Sequence, residues 1–145
     1  MTTELLYVFT HDGAGGNPCP IVCEADGMTG DDMQSIAFDY GHGSGFVLDD
    51  PEGAFDYRFR YWVPNHEMEM CEHATVGALW LLAKRKTVGP GQVRIRTLSG
   101  DVTGFVAFGN DGAPRIEITQ PAGDVRNLER KDEEAVLEVL SLIHI

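Results

Sequence analysis

Residues 70–84 read MCEHATVGALWLLAK, and the fold turns on them. Cys71, Glu72 and His73 set a thiol, a carboxylate and an imidazole in consecutive positions. From Ala74 to Ala83 no residue is charged, and nearly all are small or apolar. Lys84-Arg85-Lys86 then suits the negative end of a helix dipole. The stretch predicts a helix over roughly Glu72 to Lys84. Its body is apolar on nearly every side, so other elements must enclose it, and Trp80 is expected to be inaccessible.

The flanking segments supply the enclosure. Phe55 to Val63 places Phe55, Tyr57, Phe59, Tyr61 and Val63 against Asp56, Arg58, Arg60 and Trp62. That period of two marks a half-buried antiparallel strand. Leu5–Thr10, Cys19–Glu24, Phe46–Leu48, Gln92–Thr97, Val102–Phe108 and Arg115–Thr119 are shorter strand-like runs, set off by glycine and proline turns. A second helix is predicted after Thr29, an N-cap followed by Asp31 and Asp32. Met33, Ile36, Ala37 and Tyr40 form its apolar stripe, and Gly41 is its stop. The sum is an α+β fold: a curled, mostly antiparallel sheet around a buried central helix.

Composition narrows the function. The net charge of −12 argues against nucleic acid, which is held by clustered Lys and Arg. No apolar run approaches the length of a membrane span. The start, MTTELLYVFTHDGAGG, has neither the basic nor the apolar region of a secretory signal. Three cysteines, Cys19, Cys23 and Cys71, suggest no disulfide framework. A cytoplasmic location is expected.

Cys71 falls where the chain enters the central helix. Free backbone N–H groups and partial positive charge gather there, so the thiol is expected to be more acidic than a free one. The same N–H groups can hold a carboxylate, and His73 adds a proton-transferring group. The alternative is that Cys71 packs as a small apolar residue and His73 is structural. His66, Glu67, Glu69, Cys71, Glu72 and His73 are dense in metal-ligand types. Their spacing fits neither an HExxH site nor a Cys-pair zinc site, and no metal is expected.

Four stretches, in order, resemble the N-terminal half of the PhzF-like family, named for a phenazine biosynthesis isomerase. Val8-Phe9-Thr10 with Gly16-Asn17-Pro18 resembles its opening strand and GNP loop. Asp26-Gly27-Met28-Thr29, leading to Met33 and Ile36-Ala37, is similar to its first helix. Ser44-Gly45-Phe46-Val47 resembles the following strand. Cys71-Glu72-His73-Ala74-Thr75-Val76-Gly77-Ala78 resembles its C-G-H-A/P-T-x-G/A-A motif, and Thr119-Gln120-Pro121 is also characteristic. The resemblance covers about residues 5–122. It implies a diaminopimelate-epimerase-like fold of two similar halves with the active site between them. It also implies isomerase chemistry without a cofactor: a proton is abstracted at carbon and returned elsewhere on a small carboxylic acid. His73 is then the group for a substrate hydrogen bond or proton relay, with Asn17, Ser44, Ala74 and Thr75 lining the substrate cleft. Relatives carry a catalytic cysteine at the place of Cys71, so an amino-acid racemase or epimerase is the alternative. A non-catalytic binding domain of the same fold is another. Dimers are common among relatives, so a homodimer is the expected assembly.

The sequence departs from the family pattern at two positions. The family's catalytic glutamate falls at Gly43. The motif's glycine before the histidine is Glu72, whose charge would repel a carboxylate unless it serves as a displaced base. The expected organisation is an N-terminal domain over residues 1–122, then a linker and the start of a cut-off second domain over 123–139. Residues 140–145, LSLIHI, match the in-frame translation of a transposase-end sequencing adaptor, and are expected to be read-through.

Overall fold

The computed structural model describes residues 2–120, 123, 127 and 129–139. Met1, Pro121, Ala122, residues 124–126 and 128 of the expected linker, and the 140–145 tail lie outside the described residues. The chain order is β1 (Thr3–Val8), β2 (Asn17–Val22), α1 (Gly30–Tyr40), β3 (Ser44–Leu48), β4 (Tyr57–Val63), β5 (His66–Met68), α2 (Glu72–Lys84), β6 (Gly91–Thr97), β7 (Gly100–Phe108), β8 (Pro114–Ile118) and α3 (Arg130–Val139).

One sheet runs β1-β2-β3-β4-β6-β7-β8, with β5 added beside β4. The β2–β3 and β4–β6 pairs are parallel and the others antiparallel. α2 packs against β1 and β2 at one end of this order and against β7 and β8 at the other. A single helix can touch both ends only if the sheet curls around it, so the α+β architecture expected from the central helix is present. Leu79, Leu82, Phe59, Tyr61, Ile21 and Ile95 form the core between helix and sheet. Each fully buried aliphatic side chain there contributes about 1.5–3 kcal/mol.

α1 covers the other face. Val22, Met33, Phe46 and Leu48 form a second cluster beneath it, so β3 is buried on both sides. Thr29 and Asp32 close a reciprocal capping box at the start of α1. Gly41 ends it with φ 69°, a left-handed conformation that favours glycine. Met33 and Ala37 are buried as expected, but Tyr40 is 39% exposed, because α1 has already turned that side toward solvent in its last turn. β2 begins at Asn17, inside the stretch read as a loop.

The expectation for Trp80 is corrected. Within the uncharged body of α2, Val76 and Trp80 are half-buried while Ala74, Thr75, Gly77, Ala78, Leu79, Leu81, Leu82 and Ala83 are buried. β1 and β8 are the two ends of the strand order and are not paired to each other. An apolar cleft of about 450 Å³ opens along this seam, lined by residues of β1, by Val76, Gly77 and Trp80, and by Ile116. Lys84 lies over the Trp80 ring, 4.7 Å from its centroid.

Candidate active site

The first turn of α2 meets the start of β3, and the two supply the site. Residues alternate along β3, so Gly45 and Val47 face α2, and Gly43, just before the strand, faces the same way. A Cβ added at Gly45 would lie 2.8 Å from Ile21 Cδ1 and 3.2 Å from the Ala74 Cβ. Only glycine lets the helix approach the sheet this closely. Ala74 is thus a packed wall, fully buried.

Two residues before Gly45, a Cβ at Gly43 would lie 3.6 Å from His73 Cε1 and 3.7 Å from Nε2. The structure therefore brings together the position expected for a carboxylate and the imidazole expected beside it. Cys71 Sγ is 3.4 Å from His73 Nδ1. The Cys19 thiol donates to the Gly43 carbonyl at 3.4 Å. Gly43, Cys71 and His73 form one cluster, joined by Cys19, which the sequence marks only as the start of a strand. The signal for it was parity: on a strand, Cys19 shares a face with Asn17 and Ile21. Asn17 itself is exposed at the start of β2.

Burial sets the protonation states. Cys71 is 6% exposed, and desolvation pushes its thiol up from the usual range. The Ala74 backbone N–H opposes this, and the Glu72 charge adds to it. The expectation of an acidic thiol is corrected: the helix terminus acts in the predicted direction, but loss of water outweighs it. Burial likewise lowers His73, with the Gly43 backbone and Glu72 acting in the opposite sense. Cys19 is pushed up to about 12, chiefly by burial. At neutral pH the cluster holds protonated thiols and a largely neutral imidazole.

The remaining expected residues divide. Glu72 is exposed at the first helical position. The Ser44 hydroxyl is buried and donates to the His42 carbonyl at 3.1 Å, so it ties the turn before β3. Thr75 is fully buried, and its hydroxyl donates to the Cys71 carbonyl at 2.8 Å. Tyr61 on β4, which the sequence showed only as an inward strand residue, places its hydroxyl 2.7 Å from Thr75 Oγ1. Among the described residues no three His, Cys, Asp or Glu side chains converge to hold a metal ion, and no helix is long and apolar enough to cross a membrane.

Comparison with known proteins identifies the family and the fold. The family profile of phenazine biosynthesis-like proteins matches residues 6–144. The chain is 37% identical over 93 residues to the uncharacterized isomerase YfhB of Bacillus subtilis, covering 63% of this chain and 31% of that protein. It is 32% identical over 136 residues to the uncharacterized isomerase YddE of Escherichia coli, covering 92% of this chain and 45% of that protein. The crystal structure of a PhzF-family phenazine biosynthesis protein from Bacillus anthracis superposes with a TM-score of 0.70 at 33% identity. That match covers 79% of this chain and 38% of that one. The chain thus spans less than half the length of these relatives.

Proposed function

The chain belongs to the phenazine biosynthesis-like protein family, and on that premise we propose that it supplies one wall of the active site of a cofactor-independent isomerase. The substrate is a small carboxylic acid. A base removes a proton from a carbon beside an unsaturated or carboxylate-activated centre. The electron pair left behind spreads into that centre. An acid then delivers a proton at another carbon, and solvent exchange restores both groups. The observation that carries this reading is the convergence of Gly43, Cys71 and His73 at the N-terminus of the enclosed helix α2. There the first backbone N–H groups are free to stabilise an anionic intermediate. His73 is the proposed hydrogen-bonding or proton-relaying group, with the exposed Asn17 bordering the substrate, while Ala74 and Thr75 are buried behind the wall and support it. Glu72 stands at the mouth.

Gly43 has no proton-transferring side chain, and the opposite wall comes from the part of the relatives that this chain does not span. The chain by itself is therefore proposed to be inactive. The test joins it to the remaining part of the Escherichia coli relative and follows deuterium uptake at the substrate carbon. Gly43→Glu is expected to raise turnover by at least about a hundredfold, the typical contribution of a general acid or base. His73→Ala is the negative control. Fast exchange with Gly43 unchanged would show that the missing carboxylate is not limiting. The racemase reading rests on the contact between Cys71 and His73, and Cys71→Ala separates it: loss of exchange in a protein with Glu at 43 would favour that reading.

A further inference from the structure

Behind the cluster lies a buried chain of hydroxyls. Thr75 Oγ1 donates to the Cys71 carbonyl, which also accepts the Thr75 backbone N–H at 2.9 Å. With its proton so placed, Thr75 Oγ1 is the acceptor for Tyr61, whose hydroxyl is the donor at 2.7 Å. Tyr61 is 1% exposed and Thr75 fully buried, so no water competes for these bonds. Burial pushes the Tyr61 phenol far up, and it remains a donor throughout the working range of pH.

We propose that Tyr61 and Thr75 are positioning residues, which hold the Cys71 carbonyl and so fix the turn that carries the Cys71 thiol and the His73 imidazole. The geometry explains why a sheet residue is used. Cys71 is the N-cap of α2 with φ −147° and ψ 105°, extended values outside the helix. Its carbonyl is the hinge between extended chain and helix. Two hydrogen bonds from Thr75 hold it from the helix side. The Tyr61 hydroxyl anchors Thr75 to β4, a strand paired with both β3 and β5. With the carbonyl held, Cys71 Sγ and His73 Nδ1 stay within contact distance and the N–H groups of the first turn point outward. The inference rests on the reading of Cys71 and His73 as the functional pair of the proposed isomerase.

The test needs no substrate. Alkylation of each cysteine is followed against pH by peptide mapping, and the His73 ring is titrated by NMR. The titratable groups facing Cys71 are Cys19 on β2, Tyr61 on β4, and Glu72 and His73 on α2. Tyr61→Phe and Thr75→Val are each expected to speed Cys71 alkylation about threefold to tenfold, the range set by losing one buried hydrogen bond. Both should also shift the His73 midpoint. Thr75→Ser, which keeps the hydroxyl, should restore the parent profile, and Cys23 should be unchanged as the internal reference. If Thr75→Val does not fold, Tyr61→Phe, which removes a single oxygen, carries the test. Profiles that match the parent, a slower Cys71, a parallel rise at Cys23, or no restoration by serine would overturn the proposal. A joined enzyme that exchanges no deuterium while this coupling holds would instead count against the isomerase reading.

Discussion

Gly43→Glu is expected to raise the pKa of His73 by about one unit. The side chain has room. The nearest atoms to its Cβ would be His73 Cε1 at 3.6 Å, Nε2 at 3.7 Å and Val63 Cγ1 at 3.9 Å, all ordinary contact distances. From there the carboxylate reaches to about 5 Å from the ring. Two unit charges that far apart interact by about 3 kcal/mol at an effective dielectric constant of 20. Partial exposure of His73 reduces this by about half, which leaves about one unit or somewhat more. The assay is an NMR titration of the His73 ring, with Gly43→Gln as the uncharged control. A midpoint in Gly43→Glu equal to that in Gly43→Gln would refute the placement of position 43 beside His73.

The same change should offset the loss of acid stability that His73 causes in the parent. In the parent, burial holds the folded-state pKa of His73 below the ordinary imidazole range. The unfolded chain then binds the proton more readily. This contribution is fully present above the unfolded pKa and is lost as pH falls through the folded one. A glutamate at 43 raises the folded pKa of His73 above that of the Gly43→Gln protein. The added stability is fully present below the folded pKa of the glutamine protein and is lost as pH rises through that of the glutamate protein. The difference in Tm between Gly43→Glu and Gly43→Gln should therefore favour the glutamate protein most at the acid end of this window. A difference that does not shrink as pH rises would contradict the sign.

Other outcomes follow from packing and capping. Thr29→Ala should cost about 1 kcal/mol by opening the capping box of α1, measured by urea unfolding. Asp32 is held below the usual carboxylate range by the Thr29 hydroxyl and backbone, so the parent loses that support as pH falls through the Asp32 folded pKa. The Thr29→Ala protein should lose less over the same window. A Cβ at Gly104 would lie 2.4 Å from Leu79 Cδ1, so Gly104→Ala should cost about 1–3 kcal/mol by overpacking and Leu79→Ala about 2–5 kcal/mol by leaving a cavity. The double variant should fall short of their sum by about 1 kcal/mol or more; simple additivity would deny the contact. The open seam beside β1, with Tyr7 at 58% and Phe9 at 63% exposure, should make this chain self-associate. Sedimentation as a monomer at every concentration would argue otherwise.

The helix at the centre was legible because its evidence is local. Ten uncharged residues ending in three cations predict both the helix and its enclosure, and α2 runs from Glu72 to Lys84 as read. The alternation of β4 was equally plain, since Phe59 and Tyr61 are buried between half-buried neighbours. β5 was missed because three residues, His66–Met68, are too few to show a period. The exposure of Trp80 was missed for a different reason. An apolar helix announces that it is covered, but where the sheet fails to close depends on strand order, and pairing between distant segments leaves no local trace. The Tyr61–Thr75 bond joins residues 14 apart through two elements, and neither residue differs in kind from its apolar surroundings.

At Cys71 and His73 the sequence named the residues, while burial decided their chemistry. The helix terminus favours a thiolate, but a thiol that is 6% exposed loses more by desolvation than it gains. The two groups therefore rest as thiol and neutral imidazole, 3.4 Å apart. A carboxylate arriving at the first turn of α2 acts on both in one direction. It disfavours the thiolate and favours the imidazolium, so it makes Cys71 a poorer base and His73 a better proton holder. Glu72 already applies that bias, since its charge raises both groups. For the proposed isomerase, this bias makes His73 rather than Cys71 the expected proton carrier of the wall formed by α2 and β3.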